Sequence, residues 1–537
     1  MRLLPFALLL SALANLAPAA ERPNVIYVLC DDLGYGDLKC LNPESKIATP
    51  TFDKLAAGGL AFTDMHSGSS VCSPTRYGIM TGRYAWRTRL QQGVLGGLSP
   101  RLIEEGRLTV ANLFQQQGYH TAAIGKWHLG MNWVKQPGKQ VTELNIETPE
   151  QVWNVDYQQP IAGDPTSVGF NTYYGISASL DMVPYTFIEN DQVAIVPTVD
   201  KSFPMMTGRL MGGMTRLGPA APNFEVEDVL PALTRKAIDY IGQRAADAKA
   251  GKPFFLYLPL ASPHTPIAPT NPWKDKSGLN PYADFVMQTD DALGQLFAAL
   301  DQHGLAENTL VIVTSDNGCS PQAKFEELVP KGHNPSHHFR GHKADIYEGG
   351  HRIPFLLRWP GHVKPGTTIS QTHCLTDFFA TAAEILGEKL PPNAAEDSVS
   401  FLPALLGTPA QPLREATVHH SIAGAFAIRQ ANWKLCFCPG SAGWSAPRPG
   451  RDDVAGLPEL QLFDLAADIR EERNVVAENP AVVERLTRLM DHYVSQGRST
   501  KGPPQKNAVA VDFRRGQKPA AAQAKAKNAA AKKAKDK

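Results

Sequence analysis

The amino-acid sequence has few cysteines, no excess of charge of one sign and, beyond its first residues, no long apolar run. Seven cysteines in 537 residues, with no C-x-x-C pair among them, exclude a disulfide-dense small protein and a zinc site built on paired cysteines. Lys and Arg number 53 and Asp and Glu number 52, so the charge does not favour binding to nucleic acid. No segment after the N-terminus has the roughly 18 apolar residues that a membrane-spanning helix needs.

The first twenty residues have the pattern of a secretory signal peptide. Arg2 precedes an apolar run, and Ala17-Pro18-Ala19 fits the small-residue rule for cleavage. The alternative is a buried N-terminal helix. We expect residues 1–20 to be removed and the protein to be exported to a periplasm or out of the cell. In that compartment an odd number of cysteines leaves at least one thiol unpaired or modified.

Apolar runs that read as strands buried on both faces predict a mainly parallel β-sheet. They alternate with helical patterns, which is the arrangement of an α/β fold. The runs lie at 24–30, 253–260, 309–314 and 353–359, and the helical patterns lie at 51–60, 109–117, 229–248, 282–300 and 376–386. The predicted fold is a large mixed, mainly parallel sheet flanked by helices, in a domain of residues 21–408.

The chain changes character near residue 409. Short strand-like runs separated by loops rich in Gly, Pro and Ser are followed by one helical pattern at 480–496. This predicts a small C-terminal α+β subdomain at 409–500, an antiparallel sheet covered by one helix. Residues 501–537 are polar and then rich in Lys and Ala, so we expect a disordered, solvated tail.

Polar side chains follow three of the predicted buried strands. Asp31 and Asp32 end the first, His264 follows the second, and Asp316 and Asn317 end the third. In open α/β sheets, ligands bind beyond the carboxyl ends of the strands, so three such ends together favour a shared site. Each group taken singly could instead be a turn or a helix cap.

Two motifs resemble a known family. Cys72-Ser-Pro-Thr-Arg76, followed by Thr81-Gly82-Arg83, is similar to the first signature of the type I sulfatases. The stretch from Gly118 to His128, which contains Gly-Lys-Trp-His, resembles the second signature of that family. The resemblance spans about residues 23–387 and implies the alkaline-phosphatase-like fold. It also implies that a separate maturation enzyme oxidises Cys72 to formylglycine.

The resemblance implies a metal site as well. Asp31, Asp32, Asp316 and Asn317 match the family's metal ligands, with modified Cys72 beside them. Hard oxygen donors suit Ca²⁺ or Mg²⁺ rather than zinc. We favour Ca²⁺, because Mg²⁺ prefers to keep its waters.

The remaining catalytic residues are carried over from the same family by their motifs. They are Arg76, Lys126, His128, His264 and Lys343, and Ser179 matches a substrate-site serine. The resemblance implies that a hydrated aldehyde attacks sulfur, that His264 or Lys343 protonates the departing oxygen, and that His128 helps to expel sulfate. Lys126, His264 and Lys343 would also contact substrate. Four further histidines have no catalytic motif and are candidates for the pocket rim only: His337, His338, His342 and His351.

Sulfate-ester hydrolysis is therefore the expected activity, and export makes a sulfated carbohydrate a plausible substrate. The alternatives are a phosphonate monoester hydrolase or a phosphodiesterase on the same fold, because fold alone does not choose the substrate. A non-catalytic homologue should have lost site residues, and none is lost. We expect long loops at 131–168, 190–221 and 320–339 to shape the pocket.

Overall fold

The computed structural model describes residues 22–517, except 408, 410, 449–453 and 455. The predicted signal peptide at 1–20 and residues 518–537 of the predicted tail lie outside the described residues. Among the described helices, none is both long enough and apolar enough to cross a membrane.

The secondary structure follows the alternation that the sequence predicts. The described helices are α1 (Pro50–Gly58), α2 (Cys72–Thr81), α3 (Val110–Gln116), α4 (Val229–Lys249), α5 (Pro281–Gln302), α6 (Phe325–Leu328), α7 (Glu348–His351), α8 (Phe378–Leu386), α9 (Leu402–Leu406) and α10 (Pro480–Ser495). The described strands are β1 (Asn24–Cys30), β2 (Leu60–Phe62), β3 (Met65–His66), β4 (His120–Lys126), β5 (Thr172–Ile176), β6 (Ile188–Glu189), β7 (Gln192–Val193), β8 (Val199–Lys201), β9 (Pro204–Met206), β10 (Arg209–Met214), β11 (Gly218–Ala220), β12 (Phe254–Pro259), β13 (Thr309–Ser315), β14 (Phe355–Arg358), β15 (Thr367–Ile369), β16 (His373–Cys374), β17 (Thr417–His420), β18 (Phe426–Gln430), β19 (Trp433–Cys436) and β20 (Gln461–Asp464).

A ten-stranded mixed sheet forms the centre of the large domain, in the order β15-β2-β14-β13-β1-β12-β4-β5-β6-β7. Its middle is parallel: β1 pairs with β12 on one side and with β13 on the other, and β12, β4 and β5 continue in the same direction. The predicted strand at 353–359 is β14, which runs antiparallel to β13. The predicted mixed, mainly parallel sheet is confirmed.

Every residue of β1 is buried, because helices cover both faces of the sheet. Val25, Tyr27 and Leu29 belong to a core that includes residues of α2, α3 and α8. The alternate residues, Ile26 and Val28, belong to a second core that includes residues of α1, α4 and α5. The sheet is therefore fixed between two apolar layers, and the strand ends that carry the polar residues are held rigidly.

Strands β4 and β5 were not among the predicted strands. The sequence of β4, HTAAIGK, is rich in small residues and lacks a run of β-branched ones. The small residues have a packing reason, because a Cβ on Gly175 of β5 would lie 1.8 Å from the backbone oxygen of Gly125 in β4. Pairing with β5 fixes the end of β4, where Lys126 lies.

The C-terminal part forms the predicted small antiparallel sheet, in the order β17-β18-β19-β20, with α10 packed on it. Residues of the predicted disordered tail pack on the same core, which corrects that expectation for 501–517. Phe513 is buried, and its ring lies 4.9 Å from that of Phe437. The prediction of disorder rested on the Lys- and Ala-rich composition and did not consider Phe513. This ring precedes the Lys- and Ala-rich segment, and its burial removes apolar surface from water, which favours an ordered segment.

Candidate active site

The polar residues that follow β1 and β13 form one buried cluster. Asp31 and Asp32 come directly after β1, and Asp316 and Asn317 come directly after β13; none of the four is more than 1% exposed. The Asp32 N–H donates to Asp316 Oδ1 at 3.3 Å, and Asn317 Nδ2 donates to Asp32 Oδ1 at 2.7 Å. Parallel pairing of the two strands brings residues nearly 300 apart in the chain into hydrogen-bonding contact.

Two buried oxygen atoms in this cluster have no hydrogen-bond partner among the described residues. They are Asp31 Oδ1 and Asn317 Oδ1. A buried acceptor without a partner is costly, and such groups call for an explanation. Oxygen donors from three carboxylates and one amide are the set that a hard divalent cation prefers, so these residues fit a cation of this kind.

Three cationic side chains face the three carboxylates, and all three are buried. Lys126 Nζ donates to Asp31 Oδ2 at 2.5 Å, and Lys343 Nζ donates to Asp32 Oδ2 at 2.8 Å. Arg76 donates to Asp316 Oδ2 through Nε at 3.0 Å and through Nη2 at 2.8 Å. The formal charges of the six side chains therefore balance.

The pKa shifts reflect this crowding of charge. Burial alone would raise the pKa of Asp31, but the charge of Lys126, with those of His264 and Arg76, holds it well below its usual range. Burial and the charge of Asp31 raise the pKa of Asp316 to about 6. Burial opposes the charge on Lys343, yet Asp32 raises its pKa above the ordinary value. Burial and repulsion from Asp31 therefore oppose the ionisation of Asp316 even though the formal charges of the cluster balance.

Cys72 is the first residue of α2 and is 2% exposed. Its sulfur and ligand atoms of Asp31, Asp32 and His264 all lie within 4.8 Å of one another. Burial raises the pKa of the Cys72 thiol to about 11, although Lys126 and Lys343 act in the opposite direction. Since the thiolate is the reactive form, unmodified Cys72 is a poor nucleophile at neutral pH.

The rest of the first signature shapes α2. Gly82 ends the helix with a left-handed conformation (φ +62°), and its N–H donates to Gly78 O at 2.9 Å. A Cβ there would lie 2.9 Å from the backbone of Ala395. Arg83 is buried and donates to Glu104 at 3.1 Å. Gly82 and Arg83 therefore set the end of the helix and its packing.

The two predicted catalytic histidines, His128 and His264, differ in which ring nitrogen is not bonded to a backbone oxygen. His128 Nε2 donates to Leu95 O at 2.8 Å, and its Nδ1 is buried without a partner among the described residues. Burial, together with the charges of Lys126 and Arg76, holds the pKa of His128 well below its usual range. His264 Nδ1 donates to Thr265 O at 2.6 Å, which leaves Nε2 facing Asp32 Oδ2 at 3.6 Å.

Two of these residues have left-handed backbones without being glycine: Asp32 (φ +65°) and His128 (φ +57°). Such conformations are uncommon and cluster at functional sites, where the surrounding structure enforces them. The Leu33 N–H donates to Ser315 Oγ at 3.0 Å, and the His128 N–H donates to Ser177 O at 2.9 Å. These bonds hold both turns at the strand ends.

Not every predicted residue joins the cluster. Ser179 is buried, but no hydrogen bond within the described part of the chain joins its hydroxyl to the other site residues. The prediction that His351 lies at the pocket rim is wrong, because the residue is fully buried. Its ring stacks on that of His419 at 3.9 Å, and its Nδ1 lies 3.0 Å from His66 Nδ1. That position comes from the C-terminal sheet packing over α7, which no local pattern reveals.

Asp345 is a neighbour of the site that the sequence did not predict. Asp345 lies two residues after Lys343 and is fully buried. Its Oδ1 accepts the backbone N–H groups of Trp444 and Ser445, and its Oδ2 accepts that of His342. The only sequence signal was an acidic residue in an otherwise Gly-flanked loop.

Comparison with known proteins identifies the family of the chain. The family model described as Sulfatase matches residues 23–388. The chain belongs to the sulfatase family. This sulfatase is 32% identical to an N-acetylgalactosamine-6-O-sulfatase of Bacteroides thetaiotaomicron, over 88% of this chain and 93% of that protein. It is 33% identical to human arylsulfatase A, over 90% of each chain.

Solved structures agree with this family and its alkaline-phosphatase-like fold. A sulfatase structure from work on glycosaminoglycan metabolism by Bacteroides thetaiotaomicron superposes with a TM-score of 0.74 at 31% identity, covering 88% of this chain and 99% of that chain. A phosphonate monoester hydrolase of Agrobacterium radiobacter, at 18% identity and a TM-score of 0.56, shares the fold alone. The protein is therefore a hydrolase of sulfate esters, and the phosphonate alternative has only a distant structural likeness behind it.

Proposed function

We propose that this sulfatase removes sulfate from a sulfated carbohydrate, using formylglycine formed from Cys72 and a Ca²⁺ ion in the cluster after β1 and β13. The observation that carries the proposal is the buried group of three carboxylates, one amide and three cations around Cys72, with two oxygens free to bind a cation. The relatives support the substrate class, since one is named for a sulfated sugar.

Charge balance supports a bound divalent cation. Arg76, Lys126 and Lys343 neutralise the three carboxylates, so the six side chains alone offer little attraction to an anion. A divalent cation gives the site a net charge of about +2, which suits a sulfate ester in a buried, low-dielectric pocket.

Asp31, Asp32, Asp316 and Asn317 are the proposed ligands, with modified Cys72 beside them. We favour Ca²⁺ over Mg²⁺ because so many protein oxygens leave little room for retained waters. When bound, the cation polarises sulfate oxygens and offsets the charge that develops during the reaction.

The chain's own side chains have distinct proposed tasks. Arg76 and Lys126 hold the hydrated aldehyde of residue 72, and a hydroxyl of that hydrate attacks sulfur. After the alcohol has left, His128 accepts the proton of the second hydroxyl through Nδ1, which its bond to Leu95 O leaves unprotonated. The C–O bond to sulfate then breaks, sulfate leaves and the aldehyde re-forms. His264 Nε2 or Lys343 donates the proton to the departing oxygen, and both, with Lys126, contact the sulfate group. Ser179 is proposed to contact the sugar.

Export and maturation belong to the same proposal. A signal peptide at 1–20 sends the chain to a periplasm or out of the cell, and a formylglycine-generating enzyme acts on Cys72 before or during that passage. Residues 21–408 form the catalytic domain and 409–500 the C-terminal subdomain, whose loops border the Lys343 segment.

Turnover by matured protein tests the proposal. We expect hydrolysis of an aryl sulfate and of at least one sulfated sugar, with N-acetylgalactosamine 6-sulfate the first to try. The control is the Cys72→Ala variant, which cannot form formylglycine and should release no sulfate. Failure of matured protein on both the aryl sulfate and the sulfated sugars would refute the enzymatic proposal, and activity on aryl sulfate alone would refute the sugar assignment.

A further inference from the structure

A separate cavity of about 400 Å³ lies between the 334–340 loop and residues 470–472. Its lining includes His337, His338, Arg340, Arg470 and one acid, Glu472. None of these residues belongs to the carboxylate cluster. The cavity is therefore a separate candidate for ligand binding.

Its two arginines carry charge that the protein does not neutralise. Neither Arg340 nor Arg470 has a carboxylate within ion-pair distance among the described residues. Arg340 instead donates to the backbone oxygen of Glu471 at 2.5 Å, and its guanidinium lies 4.0 Å from the centre of the Tyr347 ring. Arg470 is exposed. The exposed guanidinium of Arg470, which has no ion-pair partner among the described residues, is suited to a sulfate or carboxylate group.

The histidines in the same cavity respond to that charge. Burial and the neighbouring His337, with Arg352 and Arg470, lower the pKa of His338 to about 4. Its ring is therefore neutral at pH 7 and can still donate one N–H. The lining therefore carries two arginine charges against one carboxylate, that of Glu472.

Aromatic rings lie next to the arginine and histidine side chains of the cavity. The rings of His337 and His338 are 4.0 Å apart, and Tyr35 stacks on His337 at 6.2 Å with an interplanar angle of 12°. Phe339 meets Tyr35 edge-on at 5.1 Å. His337, His338 and Phe339 line the cavity, and Tyr35 packs against His337 and Phe339. Rings with a few directed polar groups are a usual lining of a small-molecule site.

Two chain connections place the cavity close to the catalytic cluster. Tyr35 follows Asp32 by three residues, and Arg340 precedes Lys343 by three residues. Three residues span at most about 11 Å even when fully extended. Since Asp32 and Lys343 are paired at 2.8 Å, short chain segments join that pair both to Arg340 of the cavity and to the Tyr35 ring that packs on the cavity residues His337 and Phe339.

We propose that this cavity binds an anionic group, sulfate or carboxylate, on a second sugar of the substrate chain. The inference rests on the proposed function for the sugar-bearing substrate, and it adds a binding subsite built on Arg470, Arg340 and His338. The enzyme would thereby prefer charged oligosaccharides over the isolated sulfated monosaccharide.

The test is direct binding of a chondroitin 6-sulfate hexasaccharide, measured by calorimetry at low and at 0.15 M salt. Arg470→Ala should weaken binding roughly 3- to 10-fold, and Arg470→Glu should weaken it further, as expected for loss and reversal of one exposed charge contact. The matched control is Arg473→Ala, since Arg473 is equally exposed, lies outside the cavity and is paired with Glu478 at 2.7 Å. Melting temperatures of all variants verify folding.

Unsulfated chondroitin of the same length separates the two anion sources. Retained sensitivity to Arg470→Ala assigns the cavity to the carboxylate, and lost sensitivity assigns it to the second sulfate. Absence of binding by the unaltered protein, or equal effects of Arg470→Ala and Arg473→Ala, overturns the proposal. Aryl sulfate turnover by the unaltered matured protein reports on the proposed function independently, so the two failures are distinguishable.

Discussion

The carboxylate of Asp345 accepts the backbone N–H of Trp444 at 2.7 Å, across 99 positions of the chain. The same oxygen accepts the N–H of Ser445 at 3.0 Å, and the other accepts that of His342 at 3.0 Å. A Cβ on Gly443 would lie 2.4 Å from this carboxylate, so the close approach requires glycine. The segment that follows β19 is thus bonded directly to the loop that carries Lys343.

Removing this carboxylate should destabilise the protein. Asp345→Ala leaves three partly buried N–H groups without their acceptor, and we expect a loss of about 2–4 kcal/mol in the free energy of unfolding. Asp345→Asn keeps one acceptor oxygen and should lose less. Urea denaturation provides the measurement, with the exposed Asp301→Ala as a control expected to change by about 0.5 kcal/mol or less. An Asp345→Ala variant as stable as this control would contradict the prediction.

Cys72 should be formylglycine in active protein from the native host. Peptide mass spectrometry identifies the change, and partly exposed Cys40 in the same digest should remain a thiol. Protein from a host without the maturation enzyme should show a Cys72 thiol and little activity, because the raised pKa leaves that thiol unreactive. Fully active enzyme with an intact Cys72 thiol would rule out the modification as the source of the nucleophile.

Calcium should bind and stabilise the protein as well as activate it. After chelation, activity should be lost, and Ca²⁺ at 100 times its dissociation constant should restore it while stabilising the fold by about 2.7 kcal/mol. The paired substitution Asp31→Asn with Asp316→Asn should remove most of the rise in melting temperature. Asp301→Asn, at an exposed position near the end of α5 and outside the cluster, should retain it. A full thermal response in the doubly substituted protein would show that the ion binds elsewhere.

His264→Ala should distinguish between proton donation and sulfate binding. A sugar hydroxyl is a poor leaving group and needs a proton, whereas an activated aryl oxygen carries negative charge more easily. Sugar-sulfate cleavage should therefore slow by roughly 10²–10⁴-fold and aryl-sulfate cleavage by much less. The comparison requires equal formylglycine content in both proteins, verified by mass spectrometry.

Equal slowing of both substrates would assign His264 to sulfate binding. Lys343→Ala, measured on the same two substrates, would then show whether Lys343 donates the proton. Its pairing with Asp32 at 2.8 Å makes it the second candidate.

The sequence predicted those parts of the molecule that depend on local pattern. Strands β1, β12 and β13 were visible because each is buried on both faces and so reads as a continuous apolar run. The polar residues at their ends could be assigned to one site because parallel strands end at one edge of a sheet. The signatures added Lys126, although the strand that carries it was not recognised.

The missed features depend on contacts between distant segments. Burial of His351 arises from packing against His66 and His419, and the bond between Asp345 and Trp444 joins segments that are 99 positions apart. Phe513 lies in a polar segment, and only the folded C-terminal sheet gives it an apolar surface to cover. No periodicity within one segment encodes such contacts.

The burial of Cys72 requires that its proposed oxidation takes place before folding is complete. The loop just before it is closed by β17, where the Ser70 N–H donates to His420 O at 3.1 Å, a bond between residues 350 positions apart. The maturation enzyme can reach the Cys72 thiol only before β17 packs against this loop, because the thiol is buried once it has done so. The ratio between the rates of oxidation and of folding would then decide what share of the molecules becomes active, and a molecule that folds too early stays inert for its lifetime.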